Sequence, residues 1–441
     1  MRILQAATQH WLIQKRGDNM KCTFRLFRHT AIALAVAGAL PAAWATNGYF
    51  SHGYGMKAKG MGGAAVASTD NAFAGANNPA TAAFAGNRME VGLDFFMPER
   101  EMSRTGSPAD VSVKSESNLF YVPEFGYNRM LSDKLGFNLS VFGNGGLNTN
   151  YPGGQTDCTA LGGGPGQNAL CGMGRLGVDM MQLMVAPTLA YKVAPDHAVG
   201  VTPLLVQQQF KADGLQQFDT AMMTSAVGSV TNNGYDTSTG IGIRVGYLGK
   251  LSDSVAVGVA YSPKISMSKF DKYKGLFADG GNFDIPESFN IGATFQATPT
   301  VKVSAEYGYI KYSAVPSVGN PSNSAGNLGD PNGKGFGWAD IGIYKLGVEW
   351  QQSAQMTWRA GLNVGDNPIR SRDVTFNILA PGVITTHYTL GGTYALSKTS
   401  EVTFAYMMAP SNSVTGTAMF TGNETIKMSQ QSLGIQFGWK Y

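Results

Sequence analysis

Charged residues are scarce in this chain of 441 residues. Asp, Glu, Lys and Arg together make up 14% of the sequence, whereas ordinary globular domains carry about 25%. The formal net charge is only +4, which gives no basis for attracting a polyanion, so we exclude nucleic acid as a partner. A composition this poor in charge is also unusual for a soluble enzyme.

Histidine is nearly as rare as cysteine, and no sequence motif for catalysis is present. His52, His197 and His387 are the only histidines beyond residue 45, and none has a Ser or Asp partner placed as in hydrolytic sites. We therefore predict no enzymatic activity. The sequence also lacks nucleotide-binding and metal-binding motifs, so we predict no cofactor and no metal.

Two of the three cysteines, Cys158 and Cys171, share one glycine-rich segment with 12 residues between them. In an oxidising compartment they could form a disulfide, which the chain-entropy model values at about 3 kcal/mol. The alternative is a metal-binding pair, but no further histidine or cysteine lies nearby.

Long apolar runs are missing as well. Beyond residue 45 none approaches the roughly 20 residues that a membrane-spanning helix requires. Before that point, a basic region with Arg25 and Arg28 precedes a short apolar run that ends in Ala43-Trp44-Ala45. These are the three parts of a secretory signal peptide. We predict that residues 1–45 form this signal, with Met20 as an alternative start, and that the protein is exported.

Strict alternation of apolar with polar or small residues is the dominant pattern in the rest of the chain. The C-terminal segment shows it best, with five apolar residues at every second position: Leu433, Ile435, Phe437, Trp439 and Tyr441. A period of two is typical of β-strands with one apolar face. About fourteen such segments, each roughly nine to twelve residues long, begin near Arg88, Asn118, Leu135, Met180, Ala198, Thr239, Ser254, Ser288, Val301, Ala339, Met356, Thr386, Glu401 and Met428.

The connections between these segments alternate in length. Short turns fall at 131–134, 194–197, 249–253, 298–300, 351–355 and 397–400, and long polar loops lie between them, the longest near 144–178, 209–238 and 313–337. A sandwich, a propeller or a β-helix does not explain this segregation, whereas an outer-membrane barrel has short turns at one end and long loops at the other. Because lipid offers no hydrogen-bond partners, only a closed sheet satisfies every backbone group there. We predict an all-β fold over residues 88–441, a 14-stranded antiparallel transmembrane β-barrel.

Residues 46–87 precede the first strand and are rich in glycine and alanine. Gly55 and Gly60 have the spacing of a phosphate-binding loop, but Met61 and Gly62 stand where that loop needs Lys and Ser or Thr. A barrel of fourteen strands encloses more space than its own side chains fill. We therefore predict that this segment folds inside the lumen as a hatch, with glycines at its tight bends.

Four stretches carry a resemblance to a known family. They are "GYGMKAKGMGGAAVASTDNAFAGANNPA" with its Asn78-Pro79-Ala80 signature, "GVDMMQLMVAPTLAYKV" (177–193), "GDNPI" (365–369) and "NILAPGVITTHYTLGGTYAL" (377–396). In these the chain resembles the FadL-type outer-membrane transporters for long-chain fatty acids and other hydrophobic compounds.

The resemblance implies a monomeric, multi-pass barrel in the outer membrane of a Gram-negative bacterium. Its partners would be a hydrophobic small molecule, the outer-membrane lipid and lipopolysaccharide, and the machinery that assembles barrels. It further implies that substrate binds between the third and fourth surface loops. Substrate would then leave sideways, where the third strand of the wall kinks inward.

Glycines mark the end of that third strand. Gly143, Gly145 and Gly146 lie in "FGNGG", and glycines within a strand often mark bulges or close backbone approach. They could interrupt strand pairing and form the gate, together with the Asn78-Pro79-Ala80 signature of the hatch. They could equally do no more than begin a loop.

The loop at 209–238 contains the candidate binding residues Leu215, Phe218, Met222 and Met223. With Val227 they would form the apolar stripe of a short helix, and methionines in such a stripe suit a ligand of variable shape. The alternative, which is compatible with the first, is that the stripe packs on a neighbouring loop.

Eight charged residues face the lumen by strand parity: Glu90, Asp94, Glu124, Arg244, Lys302, Glu306, Lys345 and Glu349. Arg244 and Lys345 are candidates to bind a carboxylate head group. The alternative is a structural ion pair of either cation with Glu306 or Glu349. On balance the sequence predicts passive uptake of long-chain fatty acids, with a hydrocarbon channel of the same fold or a general porin as alternatives.

Overall fold

The computed structural model describes residues 47–419 and 421–441. The predicted signal peptide, residues 1–45, lies outside the described residues. None of the helices in these two ranges is long and apolar enough to cross a membrane.

The described chain forms one antiparallel sheet of fifteen strands. The strands are β1 (Arg88–Thr105), β2 (Val111–Lys114), β3 (Phe120–Met130), β4 (Leu135–Asn148), β5 (Gly177–Ala194), β6 (His197–Asp213), β7 (Asp236–Lys250), β8 (Val255–Ser262), β9 (Ser288–Thr298), β10 (Val301–Ile310), β11 (Ile341–Gln351), β12 (Met356–Gly365), β13 (Thr386–Ala395), β14 (Ser400–Thr417) and β15 (Asn423–Lys440). Pairing of β1 with β15 closes the sheet into a barrel. The short strand β2 pairs only with β1, so fourteen strands form the wall.

The fourteen-stranded barrel confirms the fold predicted from the period-two pattern. All fourteen segments appear in order, and the short turns and long loops lie at opposite ends of the barrel. The sequence analysis missed β2, because a strand of four residues is too short to show alternation. It also placed the start of β15 near Met428, whereas the strand begins at Asn423.

Strand parity divides the side chains between two environments. On β14 and β15, Phe404, Leu433 and Ile435 point outward and are 37–50% exposed, because they face the position of the lipid. Their neighbours Thr403 and Gln436 point into the lumen and are 1% exposed. A lumen residue this well buried requires a filled barrel.

The N-terminal segment fills the lumen, as the sequence predicted. It contains helix α1 (Met56–Gly60), helix α2 (Ala74–Asn77) and a 3-10 turn at Pro79–Ala83. We call residues 47–87 the hatch. The remaining short helices lie in the long loops: α3 (Ala278–Gly281), α4 (Pro316–Gly319) and α5 (Val374–Asn377), with 3-10 turns at Thr159–Leu161, Gln216–Phe218, Asp271–Tyr273, Tyr312–Ala314 and Ser371–Asp373.

Buried ion pairs attach the hatch to the wall. In α1, the Lys59 ammonium lies 2.9 Å from the Asp94 carboxylate and 3.4 Å from that of Glu124, and Lys57 lies 2.5 Å from Glu401. Removing one member of a buried pair typically costs about 3–5 kcal/mol, because the other charge is left without a partner. The lumen-facing acids that parity predicted therefore hold the hatch.

The Asn78-Pro79-Ala80 signature fixes the far end of the hatch. The Asn78 side-chain oxygen accepts a hydrogen bond from the backbone N–H of Ala80 (3.1 Å). Its amide nitrogen donates to the backbone carbonyls of Val66 (2.7 Å) and Tyr247 (2.9 Å). One side chain thus caps the 3-10 turn and ties the hatch to itself and to β7.

A disulfide joins Cys158 and Cys171 in the loop between β4 and β5. The two cysteines are 13 positions apart in the sequence, and the segment between them contains one short 3-10 turn. Both half-cystines are buried, with Ala109 from the β1–β2 connection packed against them. The link therefore replaces the hydrophobic core that so small a loop lacks.

Candidate functional site: a loop pocket and a gap in the wall

The long loops enclose an apolar cavity above the hatch, with about 40 Å³ of space for the centre of a water-sized molecule. Its walls come from the outer ends of β5 and β6 and from the loops that follow β4, β6, β8, β10 and β12. Eleven of the lining side chains are apolar: Leu170, Val178, Phe210, Leu215, Phe218, Leu276, Phe277, Leu328, Phe336, Phe376 and Leu379. Such a concave apolar site is where a hydrophobic ligand gains most from leaving water. We call this cavity the loop pocket.

The structure separates the four candidate residues of the 209–238 loop. Leu215 and Phe218 are buried and line the loop pocket. Met223 is partly buried and packs beside them in the same apolar cluster. Met222 is 85% exposed and Val227 is 60% exposed, so neither lines the pocket.

The predicted short helix over this loop is wrong. Only Gln216–Phe218 is helical, as one 3-10 turn. The chain then turns at Thr220, whose carbonyl accepts hydrogen bonds from Met223 and Thr224, and the Thr224 hydroxyl donates to the carbonyl of Gly275 (2.6 Å). This tertiary hydrogen bond holds the segment as a turn, which directs Met222 outward.

The wall opens where β4 leaves β3. The two strands pair only as far as Phe125 and Val141. From Phe142 onward β4 pairs with β5 alone, and a bulge at Asn144 shifts the register between Gly143 and Gly145. This end of β4 is buried on both faces, so it has turned into the lumen. The glycines therefore lie at a kink rather than merely at the start of a loop.

Beside the kinked part of β4, the hatch makes the backbone hydrogen bonds that β3 no longer makes. Ser51 N–H donates to the carbonyl of Asn144 (3.1 Å), and Gly146 N–H donates to the carbonyl of Tyr49 (3.1 Å). The Tyr54 hydroxyl adds a hydrogen bond to the Asn144 side chain (3.1 Å). The inward segment thus keeps its backbone groups paired while the gap between β3 and β4 stays open.

A loop tyrosine anchors the start of the hatch below the loop pocket. The Tyr312 hydroxyl donates to the carbonyl of Asn47 (2.6 Å) and accepts from the backbone N–H of Tyr49 (3.1 Å). Burial raises the pKa of Tyr312 well above its ordinary value, so the hydroxyl stays protonated and keeps its donor role. The loops and the hatch are therefore mechanically connected.

Both cations proposed for the head group are occupied by other partners. Arg244 donates from Nε to the Ser262 hydroxyl (2.8 Å) and from Nη1 to the carbonyls of Gly75 (3.1 Å) and Ala76. These two carbonyls end helix α2, so Arg244 holds the hatch from the wall.

Lys345 has the structural partner that the sequence left as its alternative. Its ammonium lies 2.8 Å from the Glu306 carboxylate and 3.3 Å from the carbonyl of Gly63. The second oxygen of Glu306 accepts from the backbone N–H groups of Ala65 and Val66 (2.8 and 2.9 Å). A carboxylate ligand at either cation would have to displace the hatch.

Comparison with known proteins decides the family. The sequence profile of the family described as outer membrane protein transport protein (OMPP1/FadL/TodX) matches residues 32–441. The chain belongs to this family. It is accordingly an outer-membrane β-barrel of Gram-negative type and a channel for hydrophobic compounds; members of the family are transport channels rather than enzymes. A search of curated proteins gave no match.

Solved structures of OMPP1/FadL/TodX proteins share the fold. The P. putida toluene transporter TodX superposes with a TM-score of 0.66 at 18% identity, over 88% of this chain and 99% of TodX. The Ralstonia pickettii toluene transporter TbuX gives 0.63 at 19% identity, over 88% and 99%. A Pseudomonas aeruginosa FadL homologue gives 0.65 at 13% identity, over 89% and 99%. At these identities the likeness establishes the fold alone.

The sequence analysis missed two cations of this FadL-type barrel, one in the loop pocket and one in the lumen. Lys334 lines the loop pocket and donates to the carbonyls of Ser324 (2.8 Å) and Gly326 (2.9 Å). No periodic pattern marks it, because it lies in an irregular loop. Arg100 points into the lumen from β1 and is 4% exposed. Its even position in β1, shared with Glu90 and Asp94, could have revealed it.

Proposed function

We propose that this FadL-type channel takes up long-chain fatty acids and similarly long apolar molecules, without an energy source. The observation that carries the proposal is the pairing of an apolar loop pocket with a gap in the barrel wall. A molecule captured by the loops would pass over the hatch and leave sideways between β3 and β4. This route spares an apolar substrate from crossing a wet lumen into the periplasm.

Burial of the tail is sufficient to drive capture. Each methylene transferred from water contributes about 0.8 kcal/mol, so a chain of a dozen contributes on the order of 10 kcal/mol before the cost of binding is subtracted. The loop pocket provides aromatic and branched aliphatic walls for such a chain, among them Phe210, Phe218, Phe277 and Leu276.

A small aromatic hydrocarbon is the second candidate substrate. The structural relatives TodX and TbuX are named as toluene transporters, and five phenylalanines line the loop pocket: Phe210, Phe218, Phe277, Phe336 and Phe376. A hydrocarbon would need the same pocket and the same gap, but no cation. Uptake of radiolabelled oleate and of toluene by proteoliposomes distinguishes the two candidates.

Deletion of Asn144 tests the lateral route. Because Asn144 is the extra residue of the bulge, its removal should straighten β4 and let it pair with β3 over the gap. We expect the variant to bind substrate at the loop pocket with unchanged affinity and to lose uptake. Deletion of Gly154, in an exposed part of a loop with no described atom near its Cβ position, is the control for shortening the chain.

Retention of full uptake after closure of the gap would contradict lateral release.

The Phe218→Ala variant tests the pocket separately, because Phe218 lines it while neighbouring Met222 is exposed. We expect weaker substrate binding for Phe218→Ala and no change for Met222→Ala. Equal effects would show that the loop pocket is not the site of capture.

A further inference from the structure

Arg100 is a buried cation to which the described residues offer no anion. It lies on β1 with 4% of its surface exposed, and its Nε and Nη2 atoms have no hydrogen-bond partner in residues 47–419 and 421–441. The other buried cations that the structure describes have an ion pair or hydrogen bonds: Lys57, Lys59, Arg104 and Arg359 have ion pairs, and Arg244 has its hydrogen bonds. Arg88 also has two nitrogens without a hydrogen bond, but it lies 3.5 Å from the Glu90 carboxylate. A desolvated guanidinium without an anion is costly, so its presence calls for a partner.

The surroundings of Arg100 hold its plane but do not neutralise it. The guanidinium carbon lies 5.6 Å from the centre of the Phe120 ring, which is a cation–π contact. The groups that act on it electrostatically are Tyr151 and Asp179. The Tyr151 hydroxyl donates to the carbonyl of Ile378 (3.1 Å), and the Asp179 carboxylate accepts from the hydroxyl of Tyr235 (2.6 Å). Neither makes an ion pair with Arg100.

This position is at the edge of the gap. Phe120, on which Arg100 stacks, begins β3 and pairs with Phe96 of β1, but it has no partner on β4, since β4 leaves β3 beyond Phe125. The backbone of Arg100 lies four positions beyond Phe96, where the Ser115 N–H donates to its carbonyl (2.8 Å). Its side chain reaches the Phe120 ring, on the lumen side of the strand that has lost its pairing with β4. A ligand that entered the gap tail first would leave its head close to this guanidinium.

We propose that Arg100 binds the carboxylate of an amphipathic substrate at the gap and so makes lateral release selective for acids. The inference rests on the proposed lateral route. A guanidinium presents parallel N–H donors that match both oxygens of a carboxylate. Stacking on Phe120 fixes the plane of these donors before the ligand arrives. The tail of the substrate then lies between β3 and β4 while its carboxylate remains at Arg100.

Uptake of an acid compared with an alcohol of equal length tests this role. Proteoliposomes containing the full chain would be given oleate or oleyl alcohol. A charge-assisted hydrogen bond is strong enough that Arg100→Met should lower oleate uptake tenfold or more. Oleyl alcohol uptake should not fall. Arg100→Lys keeps the charge but loses the paired donors, so it should recover part of the oleate uptake.

Several results would overturn the assignment. Equal loss of both substrates would mean that Arg100 only supports the barrel, and unchanged oleate uptake would mean that it does not meet the carboxylate. If wild type takes up neither substrate, the proposed function fails together with this inference. If wild type and Arg100→Met take up oleate equally, this inference alone fails.

A measurement on the wild-type protein covers the case in which Arg100→Met does not fold. Oleate labelled with ¹³C at the carboxyl carbon reports its own protonation by NMR. Bound next to an unpaired guanidinium, it should stay ionised to a lower pH than in detergent micelles without protein. Protonation at the same pH in both settings would overturn the proposal.

Discussion

Gly145 of β4 lies directly against the backbone of Tyr49 in the hatch. A Cβ atom at position 145 would be 1.8 Å from the Tyr49 carbonyl oxygen, which is far inside van der Waals contact. The same segment exchanges backbone hydrogen bonds with the hatch through Ser51 and Gly146. Only glycine permits this approach, so the close contact between β4 and the start of the hatch requires Gly145.

Gly145→Ala should therefore separate the hatch from β4. We expect higher ion conductance in planar bilayers, because the hatch no longer seals that side of the lumen, and slower substrate uptake. Gly365→Ala on β12 is the matched control, since a Cβ there meets its nearest atom at an ordinary 3.4 Å. Conductance at the wild-type level in Gly145→Ala would argue against the close contact.

Arg244→Ala should loosen the hatch without weakening the binding of oleate. The substitution leaves the carbonyls of Gly75 and Ala76 without their donor, and an unsatisfied buried polar group costs about 1–3 kcal/mol. Hydrogen exchange should speed up at residues 74–78. Arg129→Ala, at an exposed position of β3, is the control. A loss of oleate affinity with normal exchange would restore the head-group role for Arg244.

Phe404→Arg should destabilise the barrel by about 2–4 kcal/mol if this lipid-facing residue lies near the midplane. The cost arises because the guanidinium replaces a ring that faces the hydrocarbon. Leu396→Arg, in an exposed short turn, should cost at most about 1 kcal/mol because it lies near the interface. Urea unfolding in lipid vesicles measures both, and equal costs would show that residue 404 does not face lipid.

Loss of the disulfide should open one loop while leaving the wall intact. With Cys158→Ala and Cys171→Ala together, we expect protease added to intact cells to cut within 149–176, because we predict that this loop faces the exterior. Wild type should resist until a reductant is added. The turn at 397–400 should stay uncut in every case, and its cleavage from outside would reverse the predicted orientation.

The positions of the strands, and the side of the wall to which each side chain points, could be predicted because both follow from local sequence. Side chains alternate along a strand whatever it pairs with, so parity alone placed Glu90, Asp94 and Glu306 in the lumen. The lengths of the connections then indicated at which end of the barrel each turn or loop lies. The small residues of the hatch likewise required a confined space.

The pairing of lumen charges could not be predicted in the same way. Parity brought Arg244 and Lys345 inward, but it carries no information about the path of the hatch. That path delivers the carbonyls of Gly75 and Ala76 to one cation, and the carbonyl of Gly63 to the other. The loop at 209–238 was misjudged for a related reason, because a hydrogen bond to distant Gly275 overrides its helical periodicity.

The sequence by itself determined a closed barrel of alternating strands with a filled lumen, because periodicity and composition act along the chain, whereas the apolar substrate was implied by the family resemblance. Only the tertiary structure decided where the wall opens and which cation is left without a partner. The gap exists because the hatch backbone replaces β3 beside the bulge at Asn144. Among the described residues Arg100 has no ion pair, because Asp94, Glu124 and Glu306 pair with Lys59 and Lys345. The acid near Arg100, Asp179, accepts instead from the Tyr235 hydroxyl, and these contacts join residues far apart in the chain.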